Sequence, residues 1–252
     1  MMSDDTASRS PGKALERLDS AVIGQRASNQ LSDEALQSFA AQYGTEMQIA
    51  PDRALPAYGG QGFRLGLVKS GILLATIELP NDRRQVLCLY CPGNLIFADA
   101  FARNEGAKFK AVGEVTILGL NDQSFCNAQA QAPGALAMLL SEATRHINDL
   151  MLHSAAIGRL RSEERLATFF LELALRIAQP ARDAASFEFR MRRDDIADYL
   201  SMNRDTLSRS MSQFRRDGVI SFVNPNFVIV QWKALSDRTP LAAAMLEWHR
   251  NT

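Results

Sequence analysis

The chain has 252 residues, enough for two modest domains with cores of their own, and its 46 % hydrophobic content is ordinary for a globular protein. Its 28 basic and 28 acidic residues cancel, which excludes a protein that coats DNA by charge alone, so any polyanion must meet a local patch. No apolar stretch is long enough to span a bilayer and the opening MMSDDTASRSPGK lacks a signal peptide's apolar segment, so the expected location is the cytoplasm, with no membrane partner.

Residues 1–30 are polar and broken by Pro11-Gly12, and are expected to form a mobile arm with a short helix near Leu15 to Ile23. Leu31 to Tyr43 fits a helix capped by Ser32, with Asp33 and Glu34 in its first turn. From Met47 to Phe125 the pattern changes to short β-rich runs cut by turns, among them Leu65 to Val68, Ile72 to Glu78 and Gln85 to Tyr90. Pro80-Asn81-Asp82 reads as a hairpin turn, Gly59-Gly60-Gln61-Gly62 as a loop, and the spacing suits a small antiparallel barrel or jelly roll over 31–132. Cys88-Leu89-Tyr90-Cys91 is a CxxC within a strand, where residues three apart face opposite ways. With Cys126 it reads as buried structural cysteine, a metal or redox site being the alternative.

After Pro133 the period is helical. Leu136, Leu140, Ala143, Ile147, Leu150, Ser154 and Ile157 step by four and three, a heptad seam predicting a long helix over 133–160. Such a seam can be buried within one chain or between two. His146 and His153 flank it, where side chains are usually solvated. Arg159 to Arg161 should end this helix and Ser162-Glu163-Glu164 start the next.

Residues 192–218 read as two short helices joined by a tight turn. Leu207, Met211 and Phe214 would bury against Ile196, Ala197 and Leu200, while Asp205, Ser208, Arg209 and Ser212 share the opposite face of the second helix. Polar groups in the first two turns of a second helix are what a helix-turn-helix offers to base edges in the major groove. Gly218 should stop the helix. Val219 to Phe222 and Phe227 to Val230, around Val223-Asn224-Pro225-Asn226, predict a hairpin, hence a winged helix-turn-helix within 161–252. Seven arginines against four aspartates between Arg190 and Arg216 supply the local positive patch. A helix pair in an unrelated α+β domain would show the same pattern. Joined to the seam, though, the pattern favours a two-fold dimer carrying two such helices about one DNA turn apart.

The run DIADYLSMNRDTLSRSMSQFRRDGVI closely resembles the DNA-binding motif of the Crp/Fnr superfamily of bacterial transcription regulators, especially its Fnr and FixK branches. VKSGILLATIELPNDRRQVLCLYCPGNLIFADAF resembles that family's sensory barrel, and the likeness covers roughly residues 35 to 235. It implies an α+β protein: an N-terminal antiparallel β-barrel of the cyclic-nucleotide-binding jelly-roll type, a dimerisation helix and a C-terminal winged helix-turn-helix. It implies a homodimer on double-stranded DNA, recruiting or obstructing RNA polymerase, probed through Arg204, Asp205, Thr206, Ser208, Arg209 and Ser212 on a palindrome with a TGA core. Three departures stand out: Arg192 replaces the usual Ser or Thr cap, Ser201 the usual turn glycine, and Asp205 the glutamate of the E-x-x-S-R signature. Arg204 matches the cyclic-AMP branch rather than the Fnr branch.

The resemblance also bears on effectors. Where the cyclic-AMP branch holds its ligand with Gly-Glu and Arg-Ser pairs, this chain has Phe97-Ala98 and Phe109-Lys110, although Lys108 or Lys110 could meet an anion. No cysteine precedes Cys88 and Leu118 stands at the barrel position of the iron–sulfur ligand, so that cluster's ligands are missing. The reading is a regulator with no bound cofactor. A haem- or small-ligand-sensing member, with His146 and His153 as haem candidates, and a ligand-binding dimer that has lost DNA binding stay open. No enzyme is expected: the three histidines lie near no G-x-S-x-G motif, and there is neither a phosphate-binding glycine loop nor an HExxH.

Overall fold

The computed structural model describes residues 34–56, 63–101, 106–132, 134–180 and 183–251. The expected N-terminal arm, the helix near Leu15, the Ser32 cap and the Gly59 to Gly62 loop lie outside them. Helix α1 spans 34–43 and buries Leu36, Phe39 and Ala40, a three-and-four spacing that puts one face on the core.

Six strands follow: β1 (Thr45–Ile49), β2 (Ala54–Pro56), β3 (Leu65–Leu79), β4 (Arg83–Tyr90), β5 (Leu95–Phe97) and β6 (Ala107–Leu120). They pair antiparallel in the order β1-β6-β3-β4, with β2 added to β6 and β5 to β3. The sheet is jelly-roll-like and its described path is open rather than closed into a barrel. Strand β4, at the end of that path, lies against helix α5 (Arg193–Tyr199).

The runs expected as separate strands, Leu65 to Val68 and Ile72 to Glu78, are one 15-residue strand with register shifts on both sides of Ser70. A bulge adds a residue without ending the strand, which period counting reads as a break. Gly71 makes it possible. Its φ is +81°, and a Cβ there would meet the Glu114 carbonyl oxygen at 2.3 Å. Gly71→Ala is therefore expected to lower stability by about 2 kcal/mol, measured by chemical denaturation. At the predicted turn, Asn81 and Asp82 both take positive φ, 63° and 54°, as Asn and Asp do more readily than other side chains.

Phe125, placed by its sequence in the β-rich region, belongs instead to helix α2 (Asp122–Gln131), which Asn121 caps by accepting from the Ser124 amide at 2.9 Å. Helix α3 (Ala135–Arg159) is the expected long helix, and α4 (Ser162–Ile177) starts as expected, with Glu164 accepting from the Arg161 amide at 2.7 Å. The C-terminal half adds β7 (Gln179–Pro180), β8 (Ala184–Glu188), α5, α6 (Arg204–Arg216), β9 (Ile220–Asn224), β10 (Phe227–Gln231), α7 (Trp232–Ser236) and α8 (Ala242–Asn251). The predicted hairpin is β9–β10, and it belongs to a four-stranded sheet ordered β7-β8-β10-β9. Strand β8 has its own alternation, with Ala185 and Phe187 buried.

The N-terminal sheet feeds three buried clusters, one of which joins Leu65, Leu67, Leu95 and Leu120 to Leu36 and Phe39 of α1. Leu73, Tyr90, Phe109 and Ile117 fill the interior of the jelly roll. Ile72, Leu74, Val86 and Leu89 belong instead to one continuous apolar cluster with Phe169, Phe170, Tyr199, Leu207 and Phe214 of the C-terminal half. The two halves thus share a core. No helix among the described residues is long and apolar enough to cross a membrane.

Candidate nucleic-acid interface

Helix α5 begins after Arg192, whose side chain makes no cap hydrogen bond, as its departure from Ser or Thr foretold. The turn passes through Ser201 at φ 50°, so a non-glycine residue does take the left-handed conformation there. The Met202 amide donates to the Ala197 carbonyl at 3.0 Å, closing the end of α5. Asn203 then caps α6, its side chain accepting from the Thr206 amide at 2.7 Å. This cap was not singled out in the sequence, although an Asn immediately before a polar helix run is its signal.

Leu207, Met211 and Phe214 are buried, as are Ile196, Ala197 and Leu200 opposite them. Arg204, Asp205, Arg209 and Ser212 are exposed, and Thr206 and Ser208 are half-buried. All six proposed readers therefore sit on one helix, with four of them open to solvent. Arg204 pairs with Asp194 of α5 at 2.5 Å, and Arg209 Nε donates to the Asp205 carbonyl at 3.3 Å. Arg193 Nη1 donates to Ser208 Oγ at 3.1 Å, which adds to this face an arginine that sequence reasoning passed over. Gly218, at φ 69°, ends the helix region. Arg215 lies over the Phe222 ring of the wing at 5.9 Å, while Arg216 is exposed.

The seam on α3 is partly rephased. Leu136, Leu140 and Ile147 are 57, 60 and 56 % exposed, and Ser154 is exposed too. Ala143 and Ile157 are half-buried, and Leu150 packs against the jelly-roll interior. Met151, 63 % exposed, stands in the open line instead. A straight α-helix drifts about 20° per heptad from a strict seven-residue repeat, and about 40° over two heptads is enough to bring Met151 nearer than Leu150 to the line through Leu136, Leu140 and Ile147.

The flanking histidines are not solvated. His146 stacks on Tyr90 with ring centroids 5.1 Å apart, and His153 stacks on Tyr199 of α5 at 4.0 Å with planes 12° apart. Burial explains the correction: α3 turns these positions toward the sheet and α5. His153 Nε2 is buried without a hydrogen-bond partner, facing a cavity of about 30 Å³ also lined by Glu172, Arg176 and His249. Burial, reinforced by Arg176, depresses the His153 imidazole from 6.5 to about 4. It is neutral when folded and protonates more easily when unfolded, so the protein is expected to lose stability as pH falls from 6.5 toward 4. His153→Phe keeps a ring against Tyr199 and should flatten part of that acid sensitivity in thermal melts.

Cys88 and Cys91 are buried on opposite sides of the sheet, and burial pushes their thiols up to about 12 and about 11. Cys126 departs from the buried reading: it is exposed on α2. Nor are the two lysines open to an anion. Lys108 pairs with Glu78 at 2.5 Å and Lys110 with Asp195 at 2.8 Å.

Comparison with known proteins agrees with this arrangement. The Crp-like helix-turn-helix domain family matches residues 164–238. The transcriptional regulatory protein btr of Bordetella pertussis is 28 % identical over 156 residues, covering 61 % of this chain and 64 % of that protein. The nitrogen fixation regulation protein FixK of Bradyrhizobium diazoefficiens is 26 % identical over 157 residues, covering 62 % of this chain and 66 % of that protein. The matches thus span just under two thirds of these relatives' lengths. The solved structure of FixK2 from Bradyrhizobium japonicum superposes with a TM-score of 0.68 at 21 % identity, over 78 % of this chain and 97 % of that one. A jelly-roll-like sheet, a long helix and a helix-turn-helix with an open polar face are the parts that these proteins share with this chain. Residues 164–238 thus carry a Crp-like helix-turn-helix domain, and the chain is similar to FixK/Fnr-like regulators of the Crp superfamily in sequence and in fold.

Proposed function

We propose that the protein is a homodimeric, sequence-specific regulator that binds a palindromic Fnr/FixK-type site with a TGA core and activates transcription through RNA polymerase in the cytoplasm. The observation that carries this reading is the open polar face in the first turns of α6, backed by the buried Leu207, Met211 and Phe214. Arg209 is suited to a bidentate contact with guanine, Ser208 to a neighbouring base, and Asp205 to a cytosine amino group. Arg204, Thr206 and Ser212 flank them. The exposed apolar line of α3 supplies the two-fold contact, with Leu136, Leu140, Ile147 and Ser154 at its centre and Ala143, Leu150 and Ile157 at its edge. Residues 31–132 act as the sensory half, 133–160 as the dimer helix and 161–252 as the reader.

Both candidate haem ligands stack on tyrosines, which favours the cofactor-free reading over a haem sensor. Selection of the full chain against a random DNA library tests the proposal. Recovery of two-fold, TGA-containing sites supports it, and recovery of no palindrome rejects it.

A further inference from the structure

We infer that Arg84 and Lys110 of the N-terminal sheet are positioning residues for DNA reading, fixing the angle at which α5 carries the recognition helix. The inference rests on the proposed function. Arg84 Nε and Nη2 donate to Asp198 Oδ2 at 2.8 and 2.5 Å, and Nη2 also reaches Asp195 Oδ1 at 2.6 Å. Lys110 Nζ donates to both oxygens of Asp195, at 2.9 and 2.8 Å. Asp195 is 1 % exposed, so its carboxylate is withdrawn from water and held by two cations of the other half. Beside this pair, Ser201 Oγ donates to Gln85 Oε1 at 3.1 Å, joining the turn of the helix-turn-helix to β4.

The contact between the halves has an apolar part and an ionic part, and they do different things. Apolar burial is proportional to area and non-directional, so packing of Leu74, Val86 and Tyr199 in one cluster tolerates sliding or rotation. A guanidinium fork on two carboxylates one helical turn apart does not, because its donors have fixed directions. Buried ion pairs add little net stability but discriminate strongly between arrangements. Neighbouring carboxylates of α5 divide the task. Asp195 points to the sheet while Asp194 holds Arg204 of α6, so the same helix turn is tied to the sensory half and to the reading face.

The test uses the full chain on a matched palindrome and on one whose half-sites are moved apart by a single base pair. Wild type should bind the matched site and discriminate sharply against the other. Arg84→Ala should bind the matched site about tenfold more weakly, as expected when only about a tenth of molecules hold the competent geometry. It should also lose much of the spacing discrimination. The salt slope should stay unchanged, since no phosphate contact is removed. Arg84→Asp combined with Asp198→Arg should recover spacing preference that Arg84→Asp alone loses. Lys110→Gln, which leaves Arg84 in place, should give a smaller shift of the same kind and serves if an Arg84 variant fails to fold. Folded variants that match wild type in affinity and spacing penalty would overturn the inference while leaving the proposed function intact. A wild-type chain that binds neither site would overturn both.

Discussion

Ile147→Asp together with Met151→Asp is expected to give a folded monomer with poor operator affinity. Both side chains are more than half exposed in the single chain, so carboxylates there cost the monomer little. In a dimer the same positions would be dry, and burying uncompensated charges on both partners costs several kcal/mol. That exceeds what a modest two-helix contact supplies, and a monomer reaches only one half-site. Sedimentation should show the monomer mass and circular dichroism an unchanged helix content. A double variant that still sediments as a dimer would remove α3 from the interface. Leu150 is unsuitable for this test because it packs on the jelly-roll interior, where a charge would damage the fold itself.

Arg209→Ala should weaken operator binding by about 1–3 kcal/mol and relax preference at a single guanine. Its guanidinium is exposed and donates at 3.3 Å to the Asp205 carbonyl of its own helix, a weak bond it can leave to turn to a base. Loss of a long exposed side chain should leave the melting temperature nearly unchanged. Arg216→Ala is the contrast: exposed near the end of α6, it should weaken all sequences alike and reduce the salt slope by about one. Equal losses on every sequence for Arg209→Ala would remove its role in base reading.

The helix-turn-helix was legible because its determinants are local. The spacing of Leu207, Met211 and Phe214, Gly218 after the last turn and the hairpin turn residues all lie within a few residues of what they specify. Ser201 shows the same locality, since it takes φ 50° in the turn although it is not a glycine. What escaped is non-local. The bulge at Gly71 is set by the neighbouring strand, and the inward turn of His146 and His153 depends on which face of α3 meets the sheet. Arg84 and Asp195 meet across 111 residues, and a charged residue after a hairpin turn reads as solvated until its partner is known. The seam fell between these cases: its helix was legible, and its phase was off only in part, where Leu150 packs on the jelly roll and Met151 is exposed in its place.

The shared core has an evolutionary consequence. Superfamilies of this kind invite the picture of interchangeable cassettes, with any sensor spliced to any reader. Here a graft at Leu160 would cut no loose linker. It would leave Ile72, Leu74, Val86 and Leu89 facing a foreign surface and would strand Arg84 and Lys110 without their carboxylates. Substitutions on the outer face of this sheet and on α5 are therefore constrained together, and a workable chimera must carry both sides of that contact from one parent.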